Sequence, residues 1–356
     1  MKNINNIEWS EFVLSEIFDI TSTQSGIDKN KLINIKGIIP YVTRSDKANG
    51  WETFIGQQAS RFKMNNGNCI SVGLDTQTVF YQPNRFYTGQ NIQVLQNEKL
   101  NKYIALFIIP LLKQLLNKFS WGSNGATLTR LKRSKIILPI TAFKTPDYDF
   151  MEQYMRNVEI KIIDSYKRKI SERIEKLATD ENILPLTDKT WGKFKIGKLF
   201  KIEAGKSKGL NHLKQSRTGI SYLGATNNNN GVLALVEKVE NIVQKGNSIA
   251  FIRNGEGSMG YSIYKKEDFI ATSDITVGYN EHLNPYVGMF ITTIADKIRG
   301  KYNFGYKRSD GRLKKETLQL PINETCEPDY KYMEQFMRRI EIDQLTKYLA
   351  FISNRR

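Results

Sequence analysis

The sequence predicts an α+β protein: two tandem, pseudo-repeated globules of mixed α/β structure, joined by two long helices that form an antiparallel coiled coil. Three observations carry this. Pro146–Ile160 (PDYDFMEQYMRNVEI) returns 182 residues later as Pro328–Ile342 (PDYKYMEQFMRRIEI), with ten of the fifteen positions identical. A repeat this long marks a tandem duplication. Each copy follows a globule-like segment of similar length, and each opens a long stretch whose apolar residues fall three and four apart.

A chain of 356 residues suggests two or three domains, and 40% hydrophobic content is enough to bury real cores. The formal charge of +17 favours an anionic partner, nucleic acid before a membrane surface. The competing explanation is a Lys-rich composition inherited from an AT-rich genome. Cys69 and Cys326 occupy unmatched positions in the two halves, so a reducing cytoplasm is expected and a disulfide framework is not. No apolar run reaches the ~18–20 residues that span a bilayer. The longest, Tyr103–Leu116, is interrupted by Pro110 and Lys113. The N-terminus lacks the apolar core of a signal peptide, and a soluble intracellular protein without a membrane partner is expected.

Trp9–Ile20 and Trp191–Ile202 match in Trp, Phe and aliphatic positions, reading as a short strand and a helical turn with the aromatics in the core. Gly37–Val42 and Gly219–Leu223 are strand-like and run into polar turns that end in Asn-Gly. Asn66–Val72 and Lys245–Phe251 are turns into strands; Phe86–Val94 and Phe269–Val277 follow. A helix is expected to start near Asn101 and again near Asn284. Trp121–Pro139 and Phe304–Pro321 close the globules. The first long helix, about Asp149 to Leu177, carries the stripe Met151, Met155, Val158, Ile162, Tyr166, Ile170, Ile174 and Leu177. The second, from about Tyr330, carries Met333, Met337, Ile340, Leu345, Tyr348, Leu349 and Ile352. A helix of ~28 residues is about 42 Å long and seldom stands alone, so the stripes are expected to pack on each other. Ala178–Lys189 is the joint.

Catalytic signatures do not hold up. Gly255–Gly260 fits G-x-G-x-x-G, but strand-like Tyr261–Tyr264 follows where a dinucleotide site needs a helix, so it reads as a hairpin loop. Asn284-Pro-Tyr286 resembles a methyltransferase signature lacking one Pro, and its repeat partner Asn101-Lys-Tyr103 makes it a helix start. Pro146-Asp147 with Glu159-Ile160-Lys161 mimics a metal-nuclease spacing, yet these residues sit along one helix. His212 and His282 are unmatched, and no Cys/His cluster has metal spacing. The chain reads as non-catalytic.

What remains is basic and polar loop chemistry. The first half offers Arg44, Lys47, Arg61, Lys63, Gln77, Arg85, Gln90, Asn91, Asn124, Arg130, Lys132 and Arg133. The second offers Lys206, Lys208, Asn227, Asn228, Arg253, Asn254, Ser258, Lys307, Arg308, Arg312, Lys314 and Lys315. Lys and Arg neutralise phosphates; Arg, Asn and Gln read base edges in the major groove. They concentrate in loops that differ between otherwise matched halves, as recognition varying on a fixed scaffold would require.

Taken together, Gly122–Thr127 through Leu138-Pro139 and then Glu152-Gln153, with Leu320-Pro321 and then Glu334-Gln335, resemble the specificity subunit of type I restriction–modification enzymes and the similar subunit of type IIB-like systems. The resemblance covers the whole chain. One departure is the twelve-residue stretch between Leu-Pro and Glu-Gln in both copies (Ile140–Met151, Ile322–Met333), longer than the family's short link. The resemblance implies target-recognition domains at 1–145 and 188–327, and spacer helices at 146–187 (with the joint) and 328–356. It implies double-stranded DNA bound as a bipartite, asymmetric target. It further implies two adenine methyltransferase subunits docked on the helices, S-adenosylmethionine held by those partners and not by this chain, and in some systems a restriction/translocase subunit. A cytoplasmic scaffold that binds protein through its helices is the alternative from a different class. An orphan DNA-modifying enzyme is the third.

Overall fold

The computed structural model describes residues 4–119, 125, 127–177, 183–303 and 305–354. The chain divides into two compact units, Met1–Tyr166 and Lys167–Arg356.

In the first unit β1 (Trp9–Val13) pairs antiparallel with β9 (Lys135–Pro139), so Trp9 faces Pro139 and the unit's two ends are tied together. Between them lie α1 (Leu14–Ile17), β2 (Asp19–Ser22), β3 (Lys36–Val42), β4 (Trp51–Ile55), β5 (Cys69–Gly73), β6 (Val79–Gln82), β7 (Tyr87–Thr88), β8 (Ile92–Gln96), α2 (Lys102–Leu116) and α3 (Leu128–Arg133). One sheet has the order β2-β8-β5-β6, the other β4-β3-β7. The core lies between α2 and the first sheet, where Ile70, Val72, Leu95, Ile104, Ile108 and Leu112 are buried together.

The second unit repeats the plan. After α4 (Tyr148–Lys176) come β10 (Trp191–Lys195), α5 (Ile196–Leu199), β11 (Lys201–Ala204), β12 (Gln215–Leu223), β13 (Val232–Val236), β14 (Val243–Gln244), β15 (Ser248–Ile252), β16 (Ser262–Lys265), β17 (Phe269–Ala271), β18 (Ile275–Tyr279), α6 (Pro285–Lys297), α7 (Asp310–Lys315), β19 (Thr317–Pro321) and α8 (Tyr330–Ser353). Its sheets run β11-β18-β15-β16 and β13-β12-β17-β14, and β10 pairs with β19 with Trp191 facing Pro321. Trp9 stacks on Phe107 and Trp191 on Phe290, the expected core role.

The repeated PDY…MEQ segment is a docking network for the long helices. Asp147 accepts from the Phe150 amide and Asp329 from the Tyr332 amide, which caps each first turn. Tyr148 and Tyr330 accept at their hydroxyls from Asn97 and Asn280. Met151 and Met333 are fully buried. Asn101 caps α2 and donates to Glu152, 2.7 Å; Asn284 caps α6 and donates to Glu334, 2.9 Å. Asp147 and Glu159 are therefore structural, and Gly255–Gly260 lies in the hairpin between β15 and β16.

The expected apolar stripes hold only in part. Met151, Ile170, Leu177 and Met333 are buried, and Met155, Val158, Ile174, Met337, Leu345, Leu349 and Ile352 are half-buried. Ile162, Tyr166, Ile340 and Tyr348 are instead exposed, 51%, 58%, 39% and 49%. On α4, Phe150 and Tyr154 join the core in their place, packing edge-on against Phe107. Helical spacing aligns residues on a face, but burial needs a neighbour along its full length.

Candidate nucleic-acid interface

Among the described residues, the β3–β4 turn, the β5–β6 hairpin and Phe119, just past the end of α2, meet in the first unit, and the β12–β13 turn, the β15–β16 hairpin and the residues after α6 meet in the second. Tight left-handed residues shape the first of these, Asn49 and Gly50 in one unit and Asn229, Asn230 and Gly231 in the other.

In the first unit Arg44 forms an ion pair with Asp75 on the hairpin. Asn91 donates to the same carboxylate at 3.4 Å, and the Leu74 amide donates to the Asn91 carbonyl. Gln77 donates to the Phe119 carbonyl, and Arg130 reaches back to the Gly125 carbonyl at 3.2 Å. Arg44 and Asn91 are thus brought together on Asp75, Gln77 ties the same hairpin to the end of α2, and Lys47 and Gln90 are exposed on the adjoining turns. Asn124 lies outside the described residues.

In the second unit Arg253 pairs with Asp310 at 2.8 Å and donates to the Ser273 carbonyl. Asn254 donates to Asp274, and Arg312 reaches back to the Lys307 carbonyl at 2.8 Å, as Arg130 does in its own unit. The Arg312 guanidinium also covers the Tyr306 ring at 4.0 Å. Asn227 and Asn228 are exposed on the β12–β13 turn. Asn254, Glu256, Arg299, Tyr302, Asn303 and Lys307 line a cleft of about 760 Å³ between the hairpin and the α6–α7 connection. Acceptors, amides and guanidinium groups around one opening are the chemistry that reads base edges.

Two expected contact residues are buried instead. Arg308 is wholly inaccessible and makes a two-pronged ion pair with Glu316. Ser258 is 3% exposed and donates to the Ala225 carbonyl, tying the hairpin to the β12–β13 turn. Others lie elsewhere. Lys132 and Arg133, like Lys314 and Lys315, sit at the C-terminal ends of α3 and α7. Lys132 lines a hollow with Asp19 and Gln96–Lys99, at the opposite end of β8 from Ile92. Arg61, Lys63 and Arg85 lie on the β4–β5 and β6–β7 connections, and Lys206 and Lys208 on the β11–β12 connection, all exposed. Sequence reasoning missed Arg299, whose guanidinium lies 4.1 Å over Tyr261, and also Asn303 and Glu256. Their signal was position: two follow a repeated helix, and Glu256 sits in the Gly-rich hairpin. No group of three His, Cys, Asp or Glu is placed to hold a metal ion among the described residues.

A duplicated scaffold presenting two different sets of polar, cationic loops defines a two-headed recognition protein. Residues 6–171 and 188–349 match the type I restriction modification DNA specificity domain, and the chain belongs to that family. It is a non-catalytic DNA-recognition subunit of a restriction–modification system. It is 28% identical over 340 residues to the specificity subunit S.BcgI of a type II restriction enzyme from Heyndrickxia coagulans, covering 95% of this chain and 96% of the relative. The crystal structure of the type I restriction-modification S subunit from M. genitalium shares the fold: TM-score 0.52 at 16% identity, covering 99% of this chain and 95% of that one. Subunits of this family bind DNA within complexes that contain methyltransferase subunits. Among the described residues, no helix is long and apolar enough to cross a membrane.

Proposed function

We propose that each unit reads one half of a split, asymmetric target in double-stranded DNA, and that the long helices set the gap and dock two adenine methyltransferase subunits. Those subunits carry S-adenosylmethionine and perform the chemistry in the cytoplasm; a restriction/translocase subunit is a further partner. The observation that carries the reading is the contrast between a helix-docking network repeated residue by residue and loops that differ between the units. Exposed Ile160, Ile162 and Tyr166 on α4, and Ile340 and Tyr348 on α8, support docking on the helices. A helix of 29 residues is about 43 Å long, the rise of about 13 base pairs of duplex at ~3.4 Å each, or roughly one and a quarter turns.

The test is methylation mapping by long-read sequencing in cells carrying this gene with its methyltransferase, against cells lacking only this gene. A split adenine-methylated motif that vanishes with the gene is expected. An unchanged methylome, with the methyltransferase active, would overturn the reading and favour the scaffold.

A further inference from the structure

Arg308 and Glu316 are the one buried ion pair in which both side chains are wholly inaccessible among the described residues. Arg308 Nη2 lies 2.6 Å from Glu316 Oε1, and its Nε 3.2 Å from Oε2. Its Nη1 donates to the Gly260 carbonyl at 2.8 Å and lies 3.3 Å from both the Tyr261 carbonyl and Ser262 Oγ. Phe251 and Tyr302 flank the guanidinium, with ring centres at 5.1 and 5.6 Å, and the Tyr302 hydroxyl donates to Glu316. The Arg308 amide also donates to the Arg253 carbonyl. A single side chain therefore joins the end of the β15–β16 hairpin to the α6–α7 connection, and those two segments are the walls of the second unit's cleft.

The first unit does without it. At the matching positions stand Ala126 and Ser134; Ser134 is buried, and its hydroxyl donates to the Arg130 carbonyl of α3, just before it in the chain. Both members of the pair are replaced together, so neither repeat strands a buried charge. Stability does not call for such a pair, since apolar packing serves a core as well or better. Geometric definition is what a multiply bonded, flat guanidinium provides.

We propose that Arg308 is the positioning residue for the second half of the target: it fixes the hairpin and the α6–α7 connection in register so that Asn254, Glu256, Arg299, Asn303 and Lys307 present one reading surface. This rests on the reading of the second unit as a DNA half-site reader. Arg308 touches no DNA; its influence passes through the cleft walls, and the first unit's half-site is independent of it.

The experiment compares the full-length protein with the double variant Arg308→Ala/Glu316→Ser, which installs the first unit's residues and leaves no unpaired buried charge, and with Arg308→Lys, which keeps the charge and loses the fork. Amide hydrogen exchange of the full chain and methylation-motif mapping with the methyltransferase partner are the two readouts. In the double variant the amides of Gly260, Tyr302 and Arg308 are expected to exchange roughly tenfold faster, with those of β3 to β8 unchanged. The motif should keep one half intact and lose roughly tenfold in discrimination at positions of the other half. Arg308→Lys should give the same one-sided relaxation in smaller measure. Unchanged exchange would overturn the clamp; faster exchange with an unchanged motif, or equal relaxation of both halves, would overturn the positioning role. A wild-type protein that yields no split motif fails the half-site reading itself, and this is seen before any variant is compared.

Discussion

In the first unit Asn101 caps α2 and reaches Glu152, Tyr103 donates to Glu159, and Asn68 donates to the Leu100 carbonyl. In the second unit Asn284, Glu334, Tyr286, Glu341, Asn247 and Leu283 repeat every one of those bonds. At the loop end the match stops. One unit fixes its hairpin with Arg44 and Asp75, a partly exposed pair; the other uses the enclosed Arg308–Glu316 knot. Where a helix must dock in a fixed way, the duplicated bonds were kept. At the loop end, each unit has its own means of holding its hairpin. The asparagine content thus has a structural use that composition alone does not reveal.

The largest expected effect on this comparison is from Arg308→Ala alone. It leaves the buried Glu316 with only the Tyr302 hydroxyl and the Lys301 ammonium 3.8 Å away, and should cost about 3 kcal/mol in the second unit, read by denaturant unfolding. The double variant with Glu316→Ser should recover most of that. Ser134→Ala in the first unit should cost under ~1 kcal/mol, and a loss as large as that of Arg308→Ala would erase the distinction drawn here.

Asn101→Ala and Asn284→Ala should each cost about 1–2 kcal/mol, since each removes a helix cap and a bond to a carboxylate. Near-equal losses sharpen the comparison. A large effect in one unit alone would mean that the network is matched in form but not in weight.

Smaller still is a pH effect shared by both units. Lys102 and Tyr103 hold the Glu159 carboxyl below its usual value, and Arg173 and Tyr286 do so for Glu341. A depressed folded-state pKa contributes stability above the unfolded carboxylate pKa, lost as pH falls through the folded value. Glu159→Gln and Glu341→Gln should therefore each lower stability by up to ~1 kcal/mol at pH 7, with the difference from wild type closing below about pH 4 in thermal melts. A gap that widens in acid would contradict the assignment.

Least of all, Arg44→Ala should change stability by under ~0.5 kcal/mol, because its pair with Asp75 is partly solvated. Its consequence should fall on DNA: relaxed discrimination in the first half-site only, measured by motif mapping.

Much of this was legible in the chain. The offset repeat exposed the duplication, and Asn101 and Asn284 marked helix starts because a side-chain oxygen can satisfy the free amides of a first turn. Gly37–Val42 and Gly219–Leu223 lie within observed strands, while Phe86–Val94 and Phe269–Val277 proved to be a short strand, a turn and a second strand. The cleft was much less legible. Arg308 and Arg312 are four residues apart in one cationic segment, yet one is enclosed and the other lies on the surface. Nothing local separates them; the enclosure is made by Gly260, Ser262 and Glu316, brought in from other elements.

By itself, then, the sequence determined the duplication, the order of elements and the long helices with their docked first turns, because these depend on periodicity, caps and residues a few positions apart. The tertiary structure alone decided which loops converge, that Arg308 and Ser258 face inward, and that Ile162, Tyr166, Ile340 and Tyr348 stay exposed. Burial is a property of what distant segments bring to a residue, and a charged or apolar side chain carries no record of its eventual neighbours.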